Sequence, residues 1–234
     1  MSSAIPLDNV AHADLRLRTG HGPRFGDAIN QIPVLPVEFA AVQRDCPILF
    51  RQGNEGLIPL AILGLEKDQN LFLSADDWNA RYIPALARTA PFRLSATNGN
   101  DPAVLVDMDS PRIAAPGEEG APVFLEHGGQ APALEGALAA LRIVHGGAEG
   151  MGAMAALFAD LGLVEEANIS VTRANGQTVK FDGYLAIAPD RLAALDASAL
   201  GRLNDAGLLG PAYHAAASLE NFNTLLALDG TGAG

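Results

Sequence analysis

The stretch Asp76-Asp77-Trp78-Asn79-Ala80-Arg81-Tyr82-Ile83-Pro84-Ala85-Leu86-Ala87-Arg88 gathers the chain's only tryptophan, a tyrosine and two arginines. Guanidinium groups hold anions in fixed, often bidentate geometry. Trp78 and Tyr82 each combine a large apolar body with one polar handle. No nucleophile or base stands between the arginines, so this chemistry suits holding an anion more than breaking a bond. Trp78, Arg81, Tyr82 and Arg88 are therefore the candidate ligand-binding residues. The competing reading is structural: the same aromatic group could simply pack over a sheet. Pro84 decides how the arginines are presented, because a proline early in a short helix leaves Arg88 in its last turn.

Two further groupings could carry acid–base chemistry. Asp107 and Asp109 flank Met108, and on an extended strand they would share one face, favouring a cation or a raised pKa. Ser110-Pro111 follows at once, however, and Asp-Ser-Pro is also ordinary turn chemistry. His127 and His145 each precede a Gly-Gly pair. They could pair with the aspartates in catalysis, but neither belongs to an HExxH or clustered-thiolate pattern, so no metal and no cofactor is expected. His214 and Ser218 are spaced to meet on one helix face. Ser218 lies outside any GxSxG elbow, which favours a small-residue helix interface there. The lone Cys46 opens an apolar run and reads as a small buried hydrophobe.

The elements that must position these residues follow from the apolar pattern. Pro33 and Pro36 exclude a helix interior over 32–39. Strand-length apolar runs at Cys46–Phe50, Leu57–Leu63 and Asn70–Leu73, separated by turn residues, predict an antiparallel meander. Phe92–Ala96 and Ala103–Met108 read as a hairpin joined through Thr97–Pro102. Residues 109–132 contain four prolines and form a long irregular crossing. Helical spacing begins at Ala133 and resumes from Met151 to Leu161. Asn175-Gly176, between Val164–Arg173 and Thr178–Ile187, is a strong hairpin signal. The tail is helical, with Asp196 or Ser198 as a cap and a last helix from Pro211 through Leu228.

This order of strands, helices, hairpin and helices lacks the alternation of a doubly wound sheet. It predicts an α+β fold: a curved, mainly antiparallel sheet with helices packed on one face and a C-terminal helical segment. One domain over 1–234 is expected, with a flexible arm to about residue 24 and a frayed end over 229–234.

Composition narrows the function classes. The chain has 234 residues, 49% of them hydrophobic, and its net charge is -12. That excess argues against nucleic acid and against anionic lipid as partners. Arginine supplies all the basic residues except Lys67 and Lys180. The first residues lack the basic and apolar regions of an export signal, and no run reaches the length of a membrane span, so a cytoplasmic location without membrane insertion is expected.

Several runs together resemble the SapC family. They are Phe25-Gly26-Asp27-Ala28-Ile29-Asn30, Ile32-Pro33-Val34, Glu38-Phe39, Asp45-Cys46-Pro47-Ile48-Leu49-Phe50, Leu63-Gly64-Leu65, Gln69-Asn70-Leu71-Phe72-Leu73, Trp78, Tyr82-Ile83-Pro84-Ala85 and Pro91-Phe92. A second block, Asp190–Leu195 and Leu203–Leu209 with His214, Ser218-Leu219 and Asn221, extends the likeness toward residue 226. Two positions depart from it: Cys46 where a tyrosine is usual, and Arg88-Thr89-Ala90 where the family has Arg-Arg-Tyr. The resemblance implies a bacterial role linked to the surface layer, and partners such as co-encoded peptide-modifying enzymes. It carries over no catalytic residue.

The expected function is thus a non-enzymatic cytosolic accessory or binding protein for an envelope- or surface-related peptide or a peptide-modifying enzyme. The alternative is an enzyme acting on a peptide or small amide through Asp107 or Asp109 with His127 or His145. A protein or peptide partner is expected in the first case, and a homo-oligomer is compatible with both.

Overall fold

The computed structural model describes residues 4–54, 56–95 and 102–231. The expected linker Thr97–Pro102 lies outside them except for Pro102, as do Glu55 and the last three glycine-rich positions. Short strands open the chain: β1 (Ala4–Pro6), β2 (Arg16–Leu17) and β3 (Gln31–Pro33). A one-turn helix, α1 (Phe39–Val42), precedes the hairpin of β4 (Ile48–Gly53) and β5 (Gly56–Ile62). Then come β6 (Leu73–Ser74), β7 (Asp77–Trp78), β8 (Phe92–Leu94), β9 (Val104–Asp107) and β10 (Ala121–Pro122). Helices α2 (Pro132–Ala148) and α3 (Met151–Asp160) lead into β11 (Val164–Glu166), β12 (Ser170–Thr172), β13 (Thr178–Lys180) and β14 (Leu185–Ile187). The tail is α4 (Pro189–Ala193), α5 (Ala197–Asp205), α6 (Leu209–Ser218) and α7 (Phe222–Thr231).

The single curved sheet predicted from the run order does not form. Among the described residues the strands instead distribute over five open antiparallel sheets, the largest in the order β11-β14-β4-β5-β3 and the next in the order β1-β9-β8. The one-faced packing is also corrected. Ile48, Leu49 and Phe50 are consecutive in β4 and each is 0% exposed. Successive strand residues point to opposite faces, so both faces of this sheet are covered. What stands is a mixed fold of antiparallel sheets with a C-terminal helical segment.

The local reasons are legible. In β4–β5 the register closes at Gly53↔Gly56, and Gly56 takes φ +123°. The Asn175-Gly176 turn closes β12–β13 with Gly176 at φ +85°, while Asn175 Oδ1 accepts from the Gln177 N–H. Asp196 caps α5 by accepting from Ala199 N–H at 2.8 Å. The expected third meander strand is displaced. Leu73 pairs with Trp78 in a two-residue ladder of its own. The last helix is divided by a 3-10 turn at Leu219–Asn221, giving α6 and α7.

Two apolar clusters organise the chain. In the larger, Phe50 meets Phe39 and Phe158 edge to face, each at 6.2 Å between centroids. The second gathers Leu17, Phe92, Val106, Val123 and Phe124 beneath Leu134, Ala137, Leu138 and Leu141 of α2. The long crossing between β9 and α2 is tied to residues 15–18 by backbone bonds, including Arg18 N–H to Arg112 O and Ala114 N–H to Arg16 O. Segments far apart in sequence thereby meet beside α2.

Helix α6 contributes one polar group to the larger core. Ser218 is 0% exposed; its Oγ accepts from the Ile48 N–H at 2.8 Å and donates to Ala215 O at 2.6 Å. Replacing it with alanine orphans a buried donor at the start of β4. Ser218→Ala should therefore lose about 1–3 kcal/mol, read as a lower midpoint of chemical unfolding. An unchanged midpoint would show that the contact is dispensable.

The C-terminal helix is fastened electrostatically. Arg173 donates from Nε to Asp229 Oδ2 at 2.7 Å and from Nη2 to Oδ1 at 2.6 Å, and it also meets Glu66. The Arg173 hydrogen bond holds the Asp229 carboxyl below the ordinary aspartate range. A depressed folded pKa stabilises the protein above the unfolded value and loses that contribution as pH falls through the folded one. Stability should decline from roughly pH 4 downward, the unfolded aspartate value being about 3.9. Asp229→Asn should flatten part of that decline in denaturant midpoints taken from neutral to acid pH.

Candidate functional site

Trp78 closes the β6–β7 ladder and is 6% exposed. It packs into the larger core, with its ring 5.6 Å from that of His21 and nearly perpendicular to it at 81°. The indole N–H is buried and without an acceptor among the described residues. Tyr82 lies on a different path. Its hydroxyl donates to Glu38 Oε1 at 2.9 Å and accepts from Arg88 Nη2 at 3.2 Å. Burial, followed by the Glu38 charge, pushes the Tyr82 phenol up to about 12.

Glu38 is the hidden support of this group. It is 4% exposed, and its carboxylate also accepts from the Ala85 N–H at 2.7 Å and the Leu35 N–H at 2.9 Å. The Ala85 bond anchors the start of the 3-10 turn Ala85–Arg88, which ends on Arg88. The Arg88 guanidinium carbon sits 5.2 Å from the centre of the Tyr82 ring. Its Nε is buried without an acceptor, and among the described residues Arg88 forms no ion pair.

Arg88 borders a cleft of ≈ 320 Å³ between residues 17–21, Arg112 and the first turns of α2. His21 and Arg112, both on its wall, are joined through Asp27. That carboxylate, 5% exposed, accepts from Gly22 N–H at 2.9 Å, and Arg112 Nη2 reaches both its oxygens at 3.1 Å. His21 Nδ1 lies 3.2 Å from Asp27 Oδ2. Because an ionised carboxylate can only accept, Nδ1 carries the proton and Nε2 is left as an acceptor in the neutral ring. Arg112 Nη1 donates to Gly20 O at 3.0 Å, and its guanidinium lies 4.6 Å from the Phe25 ring centre. Gly20 takes φ +92°, and a Cβ there would meet Asp76 O at 2.8 Å, so the chain can pass beside the tryptophan ladder only as glycine.

The four candidate ligand residues are thus divided. Arg88 lines the cleft, Tyr82 orients Arg88, and Trp78 is buried behind His21. Arg81 is elsewhere: its side chain is 72% exposed, its N–H donates to Asp45 Oδ2 at 2.7 Å, and its Nε is 3.7 Å from Oδ1.

The acid–base candidates are not drawn into this cleft. β9 ends at Asp107, whose Oδ1 accepts from the Asp109 N–H at 3.1 Å, as in an Asx turn. Asp109 is exposed, and His127 occupies the turn Leu125–Gly129 ahead of α2. His145 is exposed near the other end of that helix, about 20 Å along its axis from Pro132 at 1.5 Å per residue. Among the described residues no three His, Cys, Asp or Glu side chains group as metal ligands. Cys46 is 2% exposed, and burial pushes its thiol well above the ordinary range, which leaves it inert at neutral pH.

His21, Asp27 and Arg112 went unremarked as site residues in the sequence. The one available signal was Phe25-Gly26-Asp27, which carried part of the family likeness without indicating a partner 85 positions away.

These features describe a mixed protein of antiparallel sheets and helices with an arginine-bordered cleft. The chain belongs to the SapC family, whose model, described as SapC, matches residues 7–225. No curated protein and no solved structure matches the chain. Among the described residues no helix is long and apolar enough to cross a membrane.

Proposed function

We propose that this protein is a non-enzymatic cytoplasmic accessory protein. It would bind a peptide segment of an envelope- or surface-related partner, or of an enzyme that modifies such peptides. The observation that carries this reading is Arg88, a guanidinium fixed by Tyr82 on the lining of a small cleft and without a carboxylate partner among the described residues. A held but unneutralised cation is an anion-binding group; it supplies charge and direction without a proton-transfer role. The surface-layer connection comes from the family resemblance alone.

Trp78 provides the test, because it is the only tryptophan and its ring touches His21 on the cleft wall. Purified candidate partners, beginning with products of neighbouring genes, are titrated while Trp78 emission is followed. A saturable change that weakens at least tenfold in Arg88→Gln, yet persists in Asp109→Asn and His145→Gln, is the expected result. Loss of the effect in the last two variants, accompanied by turnover of a peptide, would replace this reading with the enzymatic one.

A further inference from the structure

We infer that the Arg88 cleft selects a carboxylate attached to a short apolar peptidyl group, an inference that rests on the binding role proposed above. Charge decides the class of anion. Arg112 is neutralised by Asp27, and Arg18, also on the wall, is neutralised by Glu118 through Nε at 3.0 Å and Nη2 at 2.6 Å. Glu38 reaches Arg88 only through the Tyr82 hydroxyl. Among the described residues one uncompensated guanidinium therefore lines the cleft, which matches a single negative charge. A phosphate dianion would leave a charge without a partner.

Donor geometry agrees. Arg88 Nη2 donates to Tyr82, and Nη1 has no protein acceptor among the described residues. Tyr82 takes one of the two Nη2 N–H groups, so the Nη1 donors and the second Nη2 N–H are left for an incoming oxygen, while Nε is buried. When the His21 ring is neutral, its Nε2 is an acceptor that complements an amide N–H, such as the one next to a terminal carboxylate. Apart from Thr19, the remaining surface is small and apolar: Ala87 and Ala90 on one side, Ala133, Gly136 and Ala137 of α2 on the other. At ≈ 320 Å³ the cleft lies at the low end of the range of about 300–1,000 Å³ for ligand pockets. It has room for the end of a chain or one small acidic residue, and not for a folded segment.

The probes are acetyl-Ala-Ala-Ala as the free acid, the same peptide as its C-terminal amide, and acetyl-Ala-Glu-Ala amide. Binding to the full chain is followed by Trp78 emission and by the tryptophan indole resonance. The free acid, the glutamyl peptide or both should bind at least tenfold more tightly than the uncharged amide. The preference should vanish in Arg88→Gln, and the better of the two acids identifies a chain terminus or a side chain as the source. Gly136→Leu supplies a variant that keeps the fold, since a Cβ at Gly136 meets nothing within 4 Å and leucine favours the helix. It should block all three peptides. Equal binding of acid and amide would overturn carboxylate selection while leaving the cleft as a peptide site. Inorganic phosphate displacing the acids more effectively than acetate would also overturn it. Failure of all three peptides to perturb Trp78 or its indole signal would overturn both this inference and the binding role at this cleft.

Discussion

Asp27→Ala should destabilise the protein by about 3–5 kcal/mol, the range for removing one partner of a buried ion pair. The expectation follows from what is left behind. Arg112 is 9% exposed, and both of its hydrogen bonds to a carboxylate end on Asp27. Without that charge the guanidinium stays in a poorly solvated position, retaining Gly20 O as its one acceptor among the described residues. The Gly22 N–H and His21 Nδ1 lose their acceptor in the same step. Urea unfolding of four proteins separates the terms: wild type, Asp27→Ala, Arg112→Ala and the double variant. The double variant should be markedly less destabilised than the sum of the singles, since the penalty of an unpaired charge is then removed. Additive losses, or a cost below about 1 kcal/mol for Asp27→Ala, would show that the pair does not organise this wall. His21 should also lose its fixed orientation, altering Trp78 emission in the native state.

Glu38→Ala is expected to be of similar size, about 3 kcal/mol or more, because three donors converge on one buried carboxylate. Two of them are main-chain N–H groups with no side-chain freedom to seek another partner. Glu38→Gln refines the test. One amide oxygen can still accept from Ala85 N–H and the Tyr82 hydroxyl, but the amide NH₂ then faces the Leu35 N–H. A loss of about 1–3 kcal/mol is expected for that mismatch, checked by thermal and urea unfolding. The Tyr82 phenol offers an independent readout. In Glu38→Ala its pKa should fall from about 12 toward the usual tyrosine value, with burial retaining part of the elevation. A spectrophotometric titration unchanged from wild type would contradict the assigned contact. Binding at Arg88 should weaken in both variants, since Tyr82 orients Arg88 and Glu38 holds Tyr82.

How far the site was legible depends on distance along the chain. Trp78, Tyr82 and Arg88 stood out because unusual residue types lay close together. Their grouping did not reveal that Arg81 would turn to Asp45, or that Trp78 would be buried with His21 against it. Asp107 and Asp109 looked like a carboxylate pair; the end of β9 between them converts the alternation of a strand into a turn. Glu38 entered the sequence reading only within the family likeness, which does not indicate its partners at Tyr82 and Ala85, 44 and 47 positions away.

What the amino-acid sequence determined by itself were features whose partners are neighbours: the β4–β5 hairpin, the Asn175-Gly176 turn, a cap at Asp196 or Ser198 and the two helices after Ala133. Each rests on side-chain spacing, positive-φ tolerance or a hydrogen bond spanning a few residues, which local chemistry dictates. Only the tertiary structure decided the division into five sheets, the burial of both faces around Leu49, the pairing of Asp27 with Arg112 and the bond from Ile48 to Ser218, 170 positions away. Strands of two or three residues leave almost no periodic signature. A buried polar group, moreover, is stable only beside whichever partner the packed chain delivers, so its meaning appears once the core has closed around it.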